Sequence, residues 1–260
     1  MTNLIFTISG KGGVGKTTTA RIIGEALRER DPKALLADGN GTVGQFLQYL
    51  GARDGKCKLI HPQPEPEGVR MFNLHGSERD RDQILNLLES GYETIFADLP
   101  AESLGKLEAL QRELSFFDLV KSYGYQVTLI SPVTPYRASV RDVQDALKLD
   151  ERTKHVIVRN LAFGDAEDPS KNEPGDFKIW NDSNTRKAAI ERGALIIDLP
   201  KCKPGILAAL DDESLSFQEG LKPGVLDIAD RQRLFVWLRS AQVAIEPIFA
   251  MLGMGLRVPA

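Results

Sequence analysis

A chain that sets Gly10-Lys11-Gly12-Gly13-Val14-Gly15-Lys16-Thr17 between an apolar run and an amphipathic run has few folds open to it. The eight residues fit G-x-x-x-x-G-K-[ST], a loop whose backbone amides cradle phosphates. Before it, Leu4, Ile5, Phe6 and Ile8 read as a short buried strand. After it, Thr17 to Arg30 carries Ile22, Ile23, Ala26 and Leu27 at helical spacing. Glycine lets the backbone turn sharply and leaves room for phosphate oxygens. The helix start then turns its amides and the positive end of its dipole toward the anion. The expected nucleotide contacts are Gly12, Gly13, Val14, Gly15, Lys16, Thr17 and Thr18. Lys16 is expected to reach the β- and γ-phosphates of ATP, and the Thr17 hydroxyl to ligate Mg²⁺. A glycine-rich turn that binds nothing would not need this strand and helix around it.

The rest of the chain alternates strand and helix. Ala34–Asp38, Val69–Leu74, Tyr92–Asp98, Gln126–Ser131, His155–Arg159 and Ala194–Leu199 read as strands. Between and after them, Val43–Leu50, Glu78–Leu88, Leu104–Val120, Tyr136–Leu149, Thr185–Arg192 and Asp230–Met251 read as helices. This order predicts a doubly wound α/β fold: one mostly parallel twisted sheet with right-handed crossovers and helices on both faces. Ligands of such sheets sit at the carboxyl ends of the strands. No repeat and no composition break divides the 260 residues, so a single domain spanning 1–260 is expected. Gly164–Gly175 is the most polar stretch and reads as an exposed loop.

Composition narrows the function classes. A net charge of −3 gives no global basic field for nucleic acid. Cys57 and Cys202 are far apart without a C-x-x-C pairing, which argues against a zinc site or disulfide scaffold and fits a reducing cytoplasm. His61, His75 and His155 are isolated. No opening signal peptide and no apolar run of membrane-spanning length is read, so a cytoplasmic location is expected and membrane binding is not.

The loop holds a second lysine, Lys11, and KGGVGKTTT resembles the deviant Walker A loop of the ParA/MinD ATPases. That family takes in partition, site-placement and nitrogenase iron protein relatives. The resemblance implies that Lys11 crosses a dimer interface to the partner's nucleotide. It also implies that Asp98, in the run Tyr92–Pro100, is the Walker B carboxylate that helps hold Mg²⁺. Asn160, at the end of a strand, would read the adenine base, and Lys201–Gly205 would lie near the base or ribose. In the family a strand ends in D-x-D, whose second acid orients the attacking water. Here the motif reads Asp38-Gly39-Asn40, with Asn40 in place of the acid. An amide holds water but accepts a proton poorly. Hydrolysis is therefore expected to be slow, unless Asp38 or another group takes over. Lys11, Lys16, Asp38 and Asn40 are thus the candidate catalytic residues. Turn chemistry alone would also favour Asp and Asn at positions 38, 40 and 160.

By resemblance the chain is an ATP-dependent homodimer, a slow ATPase that positions or partitions DNA or a protein cargo with an activator or adaptor. Phe177–Thr185 is similar to ParA-like accessory proteins of conjugative plasmids. The alternatives are a nucleotide-dependent metabolic or assembly enzyme, and a scaffold that binds nucleotide without hydrolysing it. A metal-cluster carrier would need paired exposed cysteines. The closing helix is expected to pack its apolar stripe on the sheet.

Overall fold

The computed structural model describes residues 2–41, 44–165, 167–168 and 173–255. The first half runs β1 (Thr2–Ser9), α1 (Lys16–Arg30), β2 (Leu35–Asp38), α2 (Gln45–Leu50), β3 (Val69–Met71), α3 (Glu78–Arg81), β4 (Thr94–Ala101), α4 (Ser103–Leu114), α5 (Phe116–Ser122) and β5 (Tyr125–Val133). The second half runs α6 (Arg137–Leu149), β6 (Lys154–Asn160), a short antiparallel pair β7 (Glu167–Asp168) and β8 (Glu173–Pro174), α7 (Lys178–Asn181), α8 (Asn184–Glu191), β9 (Leu195–Leu199), α9 (Pro204–Asp212), α10 (Phe217–Gly220) and α11 (Ile228–Met251).

Seven strands form one sheet in the order β3-β2-β4-β1-β5-β6-β9, and every neighbouring pair is parallel. Side chains alternate across a strand, and here both sides are apolar because helices cover both faces. Ile5, Leu36, Phe96 and Ile130 enter one cluster with α1, α2 and α11. Leu4, Phe6, Leu35, Ile95 and Leu129 enter the other with α4 and α5. A third cluster, under α6 and α8, contains Phe177 and Trp180, so the aromatic residues of Phe177–Thr185 are packing residues.

The expected fold class is present, with local differences. The helix read across Leu104–Val120 breaks at Ser115, whose φ of +50° turns the chain. The turn lets Phe116 and Phe117 bury, with Phe116 6.5 Å from Phe6 and 5.3 Å from Phe117 between ring centroids. The helix read across Glu78–Leu88 is α-helical only to Arg81 and continues as a 3₁₀ helix over Asp82–Ser90. α9 and α10 are additional helices. Pro204 at the first position of α9 and the Ser216–Glu219 capping box of α10 are their start signals. The helix read from Val43 begins at Gln45, and Val43 lies outside the described residues, as does the middle of the Gly164–Gly175 loop.

By length and composition α11 could cross a membrane, a run that the sequence reading did not find. Its Leu234, Leu238, Ala241, Ile245, Ile248 and Phe249 are nevertheless buried in the cluster it shares with the sheet.

Candidate nucleotide-binding site

The loop between β1 and α1 is held by side chains from two other elements. Gly13 and Gly15 have φ of +79° and +86°, the left-handed region that glycine enters without strain. A Cβ at Gly15 would also overlap Asn160 Nδ2. That amide donates to Val14 O at 3.1 Å, while Asn160 Oδ1 accepts from Ala162 N–H at 3.1 Å. On the other side, Gly10 N–H donates to Asp142 Oδ2 of α6 at 2.9 Å. Asp142 is a supporting residue that the motif gave no sign of.

Parallel register aligns the charged residues behind the loop. Thr7 and Asp38 both stand opposite Asp98 in neighbouring strands. Asp98 Oδ1 pairs with Lys16 Nζ at 2.9 Å and accepts from the Thr7 hydroxyl. Asp98 Oδ2 accepts from Thr17 Oγ1 at 3.2 Å. The Thr17 hydroxyl and Asp98 carboxylate, the candidate metal residues, therefore meet beside Lys16. Two hard oxygen donors suit Mg²⁺, which keeps several waters and takes phosphate oxygens as further ligands. Among the described residues no group of three or more His, Cys, Asp or Glu could hold a metal alone.

Asp38 is fully buried and faces the start of α2 rather than the cleft. Its carboxylate accepts from Asn40 N–H at 2.9 Å and Leu47 N–H at 3.0 Å. Burial, and then the charge of Asp98, push this carboxyl up to about 6, against the pull of the two amides and Lys16.

In front of these groups lies a cleft of about 510 Å³, within the range of small-molecule sites. Lys11, Gly12, Gly13, Gly15, Lys16, Thr17, Thr18, Asn40 and Asn160 line it. Val14, Asp38 and Asp98 stand behind the lining. Lys11 is exposed at its mouth. Gln45, Ala101, Ala162, Phe163, Leu199, Pro200, Cys202, Leu207 and Trp237 complete the walls, and the sequence reading had placed only the neighbourhood of Cys202 there. The other thiol, Cys57, is exposed elsewhere.

No family model matches the chain. A curated relative, the putative septum site-determining protein MinD of Emiliania huxleyi, is 26% identical over 178 residues. The match takes in 58% of this chain and 59% of the relative, so the chain spans about three-fifths of that protein's length. It joins the two-lysine loop in pointing to one kinship. In both respects the chain is similar to the ParA/MinD ATPases. ParA/MinD proteins are ATPases. Among solved structures, MinD from Pyrococcus horikoshii complexed with Mg-ADP is 18% identical, with a TM-score of 0.49 over 92% of this chain and 96% of that one. A ParA family ATPase from Chlorobium tepidum is 15% identical, with a TM-score of 0.49 over 91% and 98%. The MinC:MinD complex of Aquifex aeolicus gives 18%, 0.48 and 99% of both chains. Likenesses this distant say nothing of what this chain binds.

Proposed function

We propose that the chain is a slow, ATP-driven dimerisation switch. Two copies come together on ATP, hydrolysis separates them, and the cycle positions DNA, such as a plasmid, or a protein cargo. The observation that carries this reading is the place of Lys11, exposed at the mouth of a cleft whose inner lysine is Lys16. Two lysines so near repel unless phosphate charge lies beside them. A second copy facing the cleft gives Lys11 a phosphate to contact away from water, where a charge-assisted hydrogen bond is strong.

Within one chain, Lys16 would leave Asp98 for the β- and γ-phosphates, and the loop amides would fix the chain of phosphates. Thr17 and Asp98 would hold Mg²⁺, which when bound supplies charge neutralisation at the phosphates. Asn40 would hold a water by hydrogen bonding without drawing its proton. Asp38, engaged by the start of α2, offers no ready substitute. Slow turnover follows.

Light scattering with Mg²⁺ and either ADP or a non-hydrolysable ATP analogue tests the switch. A dimer with the analogue and a monomer with ADP is expected; the same mass with both ends the proposal. The Asp38 geometry also favours a second reading, a scaffold that binds ATP without hydrolysing it. ATP binding with zero turnover, with and without DNA, decides for that reading.

A further inference from the structure

Arg21 of α1 is a buried cation that the nucleotide site does not use. It is 4% exposed, and its guanidinium lies over two rings, Tyr49 of α2 at 3.5 Å and Phe217 of α10 at 4.3 Å from the centroids. Rings satisfy the flat faces of a guanidinium and leave its N–H groups unanswered. Nη2 donates to Leu215 O at 2.7 Å, while Nε has no hydrogen-bond partner. Among the described residues no carboxylate is bonded to it. Glu25, one turn further along α1, instead accepts from the amides of Phe217 and Gln218. Burial, partly offset by the charges of Glu25 and Asp211, lowers Arg21 to about 10, so it is still a cation at neutral pH. A buried charge is costly unless it is paired and hydrogen-bonded.

Arg21 lines a second recess, of about 270 Å³, between α1, α2 and α9. Thr17, Thr18, Gln45 and Leu207 belong both to this recess and to the nucleotide cleft. Among the described residues the side chains of Thr18 and Gln45 are committed to no hydrogen bond, so a hydroxyl and an amide are free to donate. One acid, Asp211 of α9, stands in the same lining. Asp211 is exposed and screened by water, whereas Arg21 is enclosed, so the positive charge dominates inside the recess.

We propose that this recess is a second anion site, separate from the phosphate loop, in which the Arg21 guanidinium binds a small oxyanion: a carboxylate or a phosphate group. Planar N–H donors match the oxygens of either group, and burial removes the screening that weakens such pairs at a surface. The site does not depend on the nucleotide reading above.

NMR titration of the full chain with inorganic phosphate, and separately with acetate, tests this. The resonance followed is the Arg21 Nε–H, assigned by its loss in Arg21→Lys. At least one probe should shift it saturably. Saturation by phosphate alone supports a phosphate-bearing ligand, and saturation by acetate alone supports a carboxylate. Phosphate can also occupy the phosphate loop, so Asp211→Asn separates the two sites. This exposed substitution removes a like charge from the recess and should tighten the binding read at Arg21 by about threefold. It keeps the test available should Arg21→Lys fail to fold. No saturable shift with either probe, or an affinity that Asp211→Asn leaves unchanged or weakens, overturns the proposal.

Discussion

At its phosphate end the cleft is walled by backbone and charge: Gly12, Gly13, Gly15, Lys16 and Thr17, all from one short stretch. At its other end it is walled by Phe163, Leu199, Leu207 and Trp237, from four separate parts of the chain. A phosphate demands amides at fixed spacing and a lysine of fixed reach, so its site must be written in consecutive residues. A flat apolar ligand needs only surfaces of suitable shape, which any packed element can supply. One end is therefore constrained by local geometry, the other by tertiary packing.

The strongest way to break this contrast is Lys16→Ala. The substitution removes charge-assisted hydrogen bonds to two phosphates, so ATP and tripolyphosphate should both lose on the order of a thousandfold in affinity by calorimetry. Loss confined to one of them would mean that the two ends do not work separately.

The next effect concerns what holds the apolar end. Glu25, buried on α1, accepts the amides of Phe217 at 2.8 Å and Gln218 at 3.1 Å, and Phe217 in turn braces Trp237. Burial pushes this carboxyl up to about 7 from an ordinary 4.5, against the pull of the two amides and Arg21. A raised carboxyl favours folding while protonated. That contribution is whole below pH 4.5 and is lost as pH rises through 7, roughly 3 kcal/mol in all. Denaturant unfolding at pH 4.5 and pH 8 should show a larger loss in the parent than in Glu25→Gln, where the raised carboxyl of Asp38 still contributes. The difference between the two slopes isolates Glu25, and equal slopes would refute its part.

Lys11→Ala should leave ATP binding within about threefold but weaken the ATP-dependent dimer about a hundredfold, the worth of two charged hydrogen bonds, one from each copy. Light scattering across a concentration series reads this, and an unaltered dimer would make Lys11 a solvated loop charge. The smallest effect is expected from Asn40→Asp. Turnover should rise roughly tenfold, below the hundredfold of a well-placed base, since nothing positions the new carboxylate. An unchanged rate would show that water is organised elsewhere.

The same contrast explains how much of the molecule could be read from its residues. Strands such as Leu4–Ile8 and Gln126–Ser131 declare themselves because parallel strands under two helical layers are apolar throughout. The phosphate loop was legible for the geometric reason given above, whereas Asp98 and Asn160, on two other strands, were named only through the family resemblance. The roles of Phe163 and Trp237 were hidden, because an aromatic in a binding wall and one in a core look alike in sequence. The break at Ser115 was hidden too: no glycine or proline stands beside it, and the turn is driven by the burial of Phe116 and Phe117. By contrast, the capping box of α10 was a readable signal. The inward turn of Asp38 was not, since its two amide partners depend on where α2 begins.

The seven strands all run the same way, and this offers a practical handle for engineering. Their carboxyl ends carry the cleft; the turns that enter β2, β4, β5, β6 and β9 lie along the opposite rim. At that rim Pro32 and Lys33 are exposed, and the turn is tied by Asp31 Oδ1 accepting from Lys33 N–H at 3.1 Å and Asp31 O accepting from Ala34 N–H at 2.9 Å. A fluorescent tag grafted between Pro32 and Lys33 would sit about 26 Å, the length of an eight-residue strand, from the phosphate loop. Insertions are best borne at such exposed turns. Two differently coloured copies would then report association by energy transfer while each cleft stays untouched.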